Sequence, residues 1–200
     1  MSEEAVMEPP KETKKSQTAQ EKNSEYNKKT SERKKRKESM QRWVEAAKIS
    51  RVSYVNSKVC ISYSVIENNS HNGFELESDD EPSGSFTEAL QALAPFVAEI
   101  VFRDKKEQEY QANDITVKSV NFKEHDEGNM HAGIGTTLTL SNGKATALNI
   151  PQMPLHPENR DLIAGYSEKA AEAIDEVLAR TRDYMAGRRA QGRLFDDMDD

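Results

Sequence analysis

Apolar positions along the chain change period several times, and each change marks an element. Val59, Ile61, Tyr63 and Val65 alternate with Cys60, Ser62 and Ser64, the two-residue repeat of a half-buried strand. Val52 and Tyr54 precede them at the same spacing. Phe74 and Leu76 resume it after a turn-rich stretch, residues 68–73, read as a loop. These runs predict an antiparallel meander of two or three strands. Ser85 and Glu88 then stand at capping-box spacing. Ala89, Leu90, Leu93, Phe96, Val97 and Ile100 recur at three and four, predicting one central helix that Pro95 kinks or breaks. Residues 102–113 are polar and read as a loop.

A second set of strands follows. Ile115 and Val117 alternate, and Val120 with Phe122 alternates out of phase, which predicts a β-bulge near Ser119. Leu138 and Leu140 on one side, and Ala145, Ala147 and Asn149 on the other, flank Asn142-Gly143. That dipeptide predicts a type I′ hairpin turn. Pro151, Pro154 and Pro157 close the sheet and bar a helix before 157. A long helix is predicted over 158–186, from Ile163, Tyr166, Ala170, Ile174, Val177, Leu178, Thr181 and Met185, with Gly187 as its stop. A shorter helix leads in through Trp43, Val44, Ala46, Ala47 and Ile49. The fold class is α+β: an antiparallel β-sheet, one central helix and a long C-terminal helix.

Composition divides the chain further. Residues 1–40 hold 11 Lys/Arg and 8 Asp/Glu without one Leu, Ile or Phe. Such a segment cannot bury enough apolar surface to offset the entropy of ordering, so a disordered charged arm is expected. The α+β domain is expected over 41–187 and a polar tail over 188–200. Beyond residue 40 there are 17 basic and 27 acidic groups, a net charge of -10. No run approaches the ~18 apolar residues of a membrane-spanning helix. The opening MSEEAVMEPPKETKK has no apolar segment of a secretory signal. One cysteine, Cys60, forms no internal disulfide. A cytoplasmic protein, without membrane association, is expected.

Little in the sequence carries chemistry. Glu124, His125, Asp126, Glu127 and His131 are metal-ligand types, but no second cluster matches them, and they read as a solvated loop. Gly133-Ile134-Gly135 lacks the third glycine of a dinucleotide loop, and a strand pattern follows it where a phosphate site needs a helix start. There is no nucleophile-elbow motif, and Cys60 reads as a small buried thiol. No cofactor, metal or enzymatic activity is expected. Arg33, Lys34, Lys35, Arg36 and Lys37 form a basic run that suits phosphate contacts, a localisation signal or a solvated charge run.

The tail stands apart. Gln191, Leu194 and Phe195 lie in a polar segment past the helix stop, where folding gives no reason for a Leu-Phe pair. Their spacing resembles the bacterial sliding-clamp-binding motif, a glutamine followed at +3 and +4 by leucine and phenylalanine. The resemblance implies that Gln191 hydrogen-bonds at one subsite while Leu194 and Phe195 fill an adjoining apolar pocket. Gly192 stands where leucine is favoured and Arg193 where serine or aspartate is favoured, so modest affinity is expected. More broadly, DITVKSVNF, ALNIPQMPLH and GRRAQGRLFDD resemble segments of small uncharacterised bacteriophage and prophage proteins over about residues 85–200, which implies a host-cell cytoplasm. The expected function is a phage-type accessory protein tethered to the bacterial DNA sliding clamp. The alternative is a single-stranded DNA-binding protein, since Phe195 and the acidic residues after it loosely resemble the acidic tails of such proteins.

Overall fold

The computed structural model describes residues 30–32, 34–36, 38–67, 70–102, 104–125, 129–157 and 165–190. The chain divides into two units, Met1–Trp43 and Val44–Asp200. Residues 30–32 and 34–36 are helical, and a helix, α1, runs through 38–46. The helix thus starts well before Trp43, inside the stretch expected to be disordered. The reason is local: Lys, Arg, Glu and Gln are strong helix formers, and Glu38 and Arg42 stand four residues apart with the acid first. The disorder expected of residues 1–29 lies outside the described residues.

Six strands form one antiparallel sheet: β1 (Lys48–Val55), β2 (Lys58–Glu67), β3 (Ser70–Ser78), β4 (Ile115–Glu124), β5 (Met130–Thr139) and β6 (Ala145–Pro154), in the order β3-β2-β1-β4-β5-β6. Each half is a three-stranded meander followed by helix. The two meanders meet edge to edge where Arg51–Ser53 pair with Asn121–Ser119. Beyond that short ladder Gln91 bridges to β4: its Nε2 donates to the Ile115 carbonyl, and its Oε1 accepts from Val117 N at 3.4 Å. In β2 the alternation read from the sequence is the burial pattern, whereas in β6 Ala145, Ala147 and Asn149 are exposed and Ile150 is buried. Val59, Ile61, Tyr63 and Val65 are buried, and Cys60 is half-buried on the other face rather than fully buried. The bulge at Ser119 is present as a register shift between Val117 and Ser119. Strand β3 starts at Ser70, so His71–Gly73 pair with β2 and are not loop.

The turns differ from expectation. At Asn142-Gly143 only the glycine has positive φ, +76°. Gly143 N donates to the Leu140 carbonyl at 2.8 Å, and Leu140 N to the Lys144 carbonyl at 2.7 Å. This is the three-residue hairpin loop closed by a left-handed glycine, not the two-residue type I′ turn. The tight turn with two positive φ angles is Asn56-Ser57, at 52° and 62°, between the paired Val55 and Lys58. A side chain at Ser57 is crowded in that conformation. Ser57→Gly is expected to raise stability by about 0.5–1 kcal/mol. An unchanged or lowered thermal midpoint would contradict it.

The central helix is two helices, α2 (Gly84–Gln91) and α3 (Ala94–Val101), with Pro95 in the first turn of α3. There the proline has no interior N–H to deny and its fixed φ suits the helix. The capping box does not form; Ser83 occupies the N-cap and its hydroxyl meets the Ser85 hydroxyl at 3.0 Å. The polar stretch expected to be loop holds α4 (Lys105–Ala112). Asp104 starts it by accepting from Lys106 N and Glu107 N at 2.8 and 3.2 Å, and the cap outweighs the missing apolar face. The long helix, α5, spans Glu168–Met185; residues 165–167, predicted as helix, are not helical, and residues 158–164 lie outside the described residues. Tyr166 sets that limit: its N donates to the Pro154 carbonyl and its hydroxyl to the Ala132 carbonyl, both at 3.1 Å. Residue 166 is thereby hooked onto the sheet, and Ser167, in extended conformation, caps the helix through Ala170 N. Ala170, Ala171, Ile174, Val177 and Thr181 are buried along its inner face.

Candidate functional site

The helix ends α5 as the sequence predicts. Gly187 has φ +91°, and its N donates to the Tyr184 carbonyl while Arg188 N donates to the Asp183 carbonyl, both at 3.0 Å. The left-handed turn satisfies carbonyls that the last helical turn leaves open. The chain then turns back onto the domain. Arg189 forms an antiparallel bridge with Pro82, and Ala190 N donates to the Glu81 carbonyl at 2.9 Å. The Arg189 guanidinium lies 3.5 Å over the Tyr184 ring, reaches the Tyr184 carbonyl and meets Asp80 at 3.4 Å. Tyr184 itself donates to the Asp80 carbonyl at 2.8 Å. Residues 189–190 are therefore a fixed root. Gln191, which follows it directly, and Leu194 and Phe195 beyond lie outside the described residues.

Of the basic run, Lys34, Lys35 and Arg36 are described, each exposed on helical turns; Arg33 and Lys37 lie outside the described residues. Lys35 and Arg36 share a shallow hollow with Ser39, Met40 and Trp43. Met40 is 50 % exposed. One helix face thus sets cations beside a thioether and an indole. The sequence shows both sets of residues, but helical spacing is what brings them to one side.

The β4–β5 hairpin joins two residues that the sequence reads as part of a solvated loop. His125 and His131 bring their rings to 4.1 Å, and His125 N donates to the Asn129 carbonyl at 3.0 Å. Glu124 is drawn away to Lys48 at 2.7 Å. Burial, and then the charges of His125 and Lys123, hold the His131 imidazole below the usual histidine range. The folded chain thus favours neutral His131, whereas the unfolded chain takes its proton near the ordinary value of about 6.5. That contribution to stability is whole above that pH and is lost as pH falls through it toward the folded value. Between about pH 7.5 and 5.5, the thermal midpoint is expected to fall less in His131→Gln than in the parent. An equal fall in both proteins would refute the coupling.

A hollow of about 480 Å³ opens where β1 and β4 diverge, lined by Tyr54, Leu90, Gln91, Val117 and Lys118 among others. Its residues come from three distant segments, so no local pattern in the sequence signals it. Gly133-Ile134-Gly135 lies inside β5. A Cβ at Gly135 would fall 2.4 Å from the Ser119 hydroxyl, so this glycine makes room for a cross-strand neighbour. Among the described residues no group of three metal-ligand side chains converges, and no helix is long and apolar enough to cross a membrane. No protein-family model, curated protein or solved structure matches this chain.

Proposed function

We propose that this chain is a phage-type accessory interaction protein, tethered to the bacterial DNA sliding clamp by Gln191, Leu194 and Phe195. The observation that carries the reading is the fixed root at Arg189 and Ala190, with the motif-like spacing starting at the very next residue. A peptide held at its base leaves the body at a defined point, which reduces the freedom lost when its side chains dock. The glutamine amide supplies hydrogen bonds, and the leucine and phenylalanine supply the apolar area that a groove buries. Titrating the full chain into a purified bacterial sliding clamp tests the idea, with binding expected at about micromolar strength. No heat change at tens of micromolar would sink it.

A second reading, single-stranded DNA binding, is supported by the helix face that sets Lys35 and Arg36 beside Met40 and Trp43. Cations release counterions from phosphates and rings stack on bases. The net charge of -10 beyond residue 40 opposes it. Retention on immobilised single-stranded DNA that fades with salt would favour this reading, and its absence the first.

A further inference from the structure

The two edges of the sheet are built differently. Strand β6 carries Pro151 and Pro154, which have no N–H to offer a neighbouring strand, so that edge is blunted. Strand β3 runs for nine residues without a proline. On an edge strand every second residue turns its N–H and C=O outward, a ready template for another chain. The apolar side of β3 is also open. Phe74 stacks on Tyr63 with ring centroids 5.5 Å apart and is still 47 % exposed.

We infer that β3 is the pairing edge for a second copy of this chain, antiparallel about a two-fold axis through Phe74. The strand's own sequence selects the register. Phe74 is the middle residue of Ser70–Ser78, so this axis engages the whole strand. Phe74 then lies opposite its symmetry mate, His71 opposite Glu77, and Glu75 opposite Gly73. Two rings meet at the axis, and an aromatic cross-strand pair is a favoured contact. An imidazole meets a carboxylate on either side of them. Glu77 keeps its 3.1 Å bond to Lys58 through Oε1, and Oε2 is the atom for His71. Glu75 faces a residue without a side chain, and a Cβ built at Gly73 meets nothing within 4 Å. Moving the axis to Glu75 sets two carboxylates directly opposite each other, which is unfavourable. Moving it to Gly73 sets Phe74 against Asn72. The product is a continuous twelve-stranded sheet made from two sheets of six, whose remaining outer edges are the proline-bearing β6 strands.

Sedimentation equilibrium of the full chain at tens of micromolar is expected to give a dimer. Phe74→Lys sets two ammonium groups opposite each other and is expected to weaken that dimer on the order of tenfold or more. A second variant reads the register itself. Directly opposed residues hold their Cβ atoms about 4.5–5.5 Å apart, close to disulfide geometry. Phe74→Cys in a Cys60→Ser background is therefore expected to form a covalent dimer with oxidised glutathione, which accepts the two electrons. A monomer at these concentrations would overturn the inference. So would a dimer unaffected by Phe74→Lys, or a dimeric Phe74→Cys variant that fails to cross-link.

Discussion

Phe86→Ala is expected to destabilise the protein by about 3–5 kcal/mol, the usual cost of emptying a large aromatic site. Phe86 is 1 % exposed and sits where α2, α5 and β1 meet. Its ring and that of Tyr54 form a T-shaped pair at 6.5 Å and 88°, and it packs on Tyr184 at 5.7 Å. Each such pair adds to the burial of area alone. The position matters because the ladder that joins the two meanders covers only Arg51–Ser53. Helix packing on the sheet carries much of what holds the halves together. Phe86→Leu keeps most of the volume and is expected to cost about 1–1.5 kcal/mol. Urea unfolding checks both numbers; a loss below about 1 kcal/mol for the alanine variant would show that the cluster is not a keystone.

Leu194→Ala with Phe195→Ala is expected to abolish clamp binding and leave the unfolding midpoint unchanged. Burying a leucine and a phenylalanine contributes about 1.5–3 kcal/mol each. Micromolar affinity corresponds to about 8 kcal/mol, so losing both takes binding beyond ordinary detection. Stability should hold because the root is secured by residues up to Ala190, through Tyr184, Asp80 and Glu81. Calorimetry with the clamp and thermal unfolding separate the outcomes. A lowered midpoint would place Phe195 in the core and make the tail a structural cap. Retained binding would mean that a different surface touches the clamp.

Much of the architecture was legible because period and burial are tied together. Val59 to Val65 could be only a strand with one buried face, since a side-chain period of two leaves no other arrangement. The out-of-phase pair Val120 and Phe122 showed the bulge for the same reason. The stop at Gly187 was readable because few residues take positive φ at low cost. Helix α4 was not readable by apolar period, because its start rests on one side chain, Asp104, bonding two amides. The true tight turn was missed because Asn56-Ser57 is a weaker turn signal than Asn142-Gly143. The hollow beside Gln91 had no sequence signature, since it joins three segments separated along the chain; His125 and His131 stand close in the sequence, but only the hairpin pairing brings their rings together.

The sequence by itself determined the α+β class and the buried faces of β2 and β4, because those depend on periodicity and residue type. Only the tertiary structure decided that two meanders join through β1 and β4. It also decided that Tyr166 delays the long helix and that Arg189 pins the root of the tail. Those outcomes depend on groups that the fold brings together, and a hydrogen bond or ring contact between distant residues leaves no period along the chain.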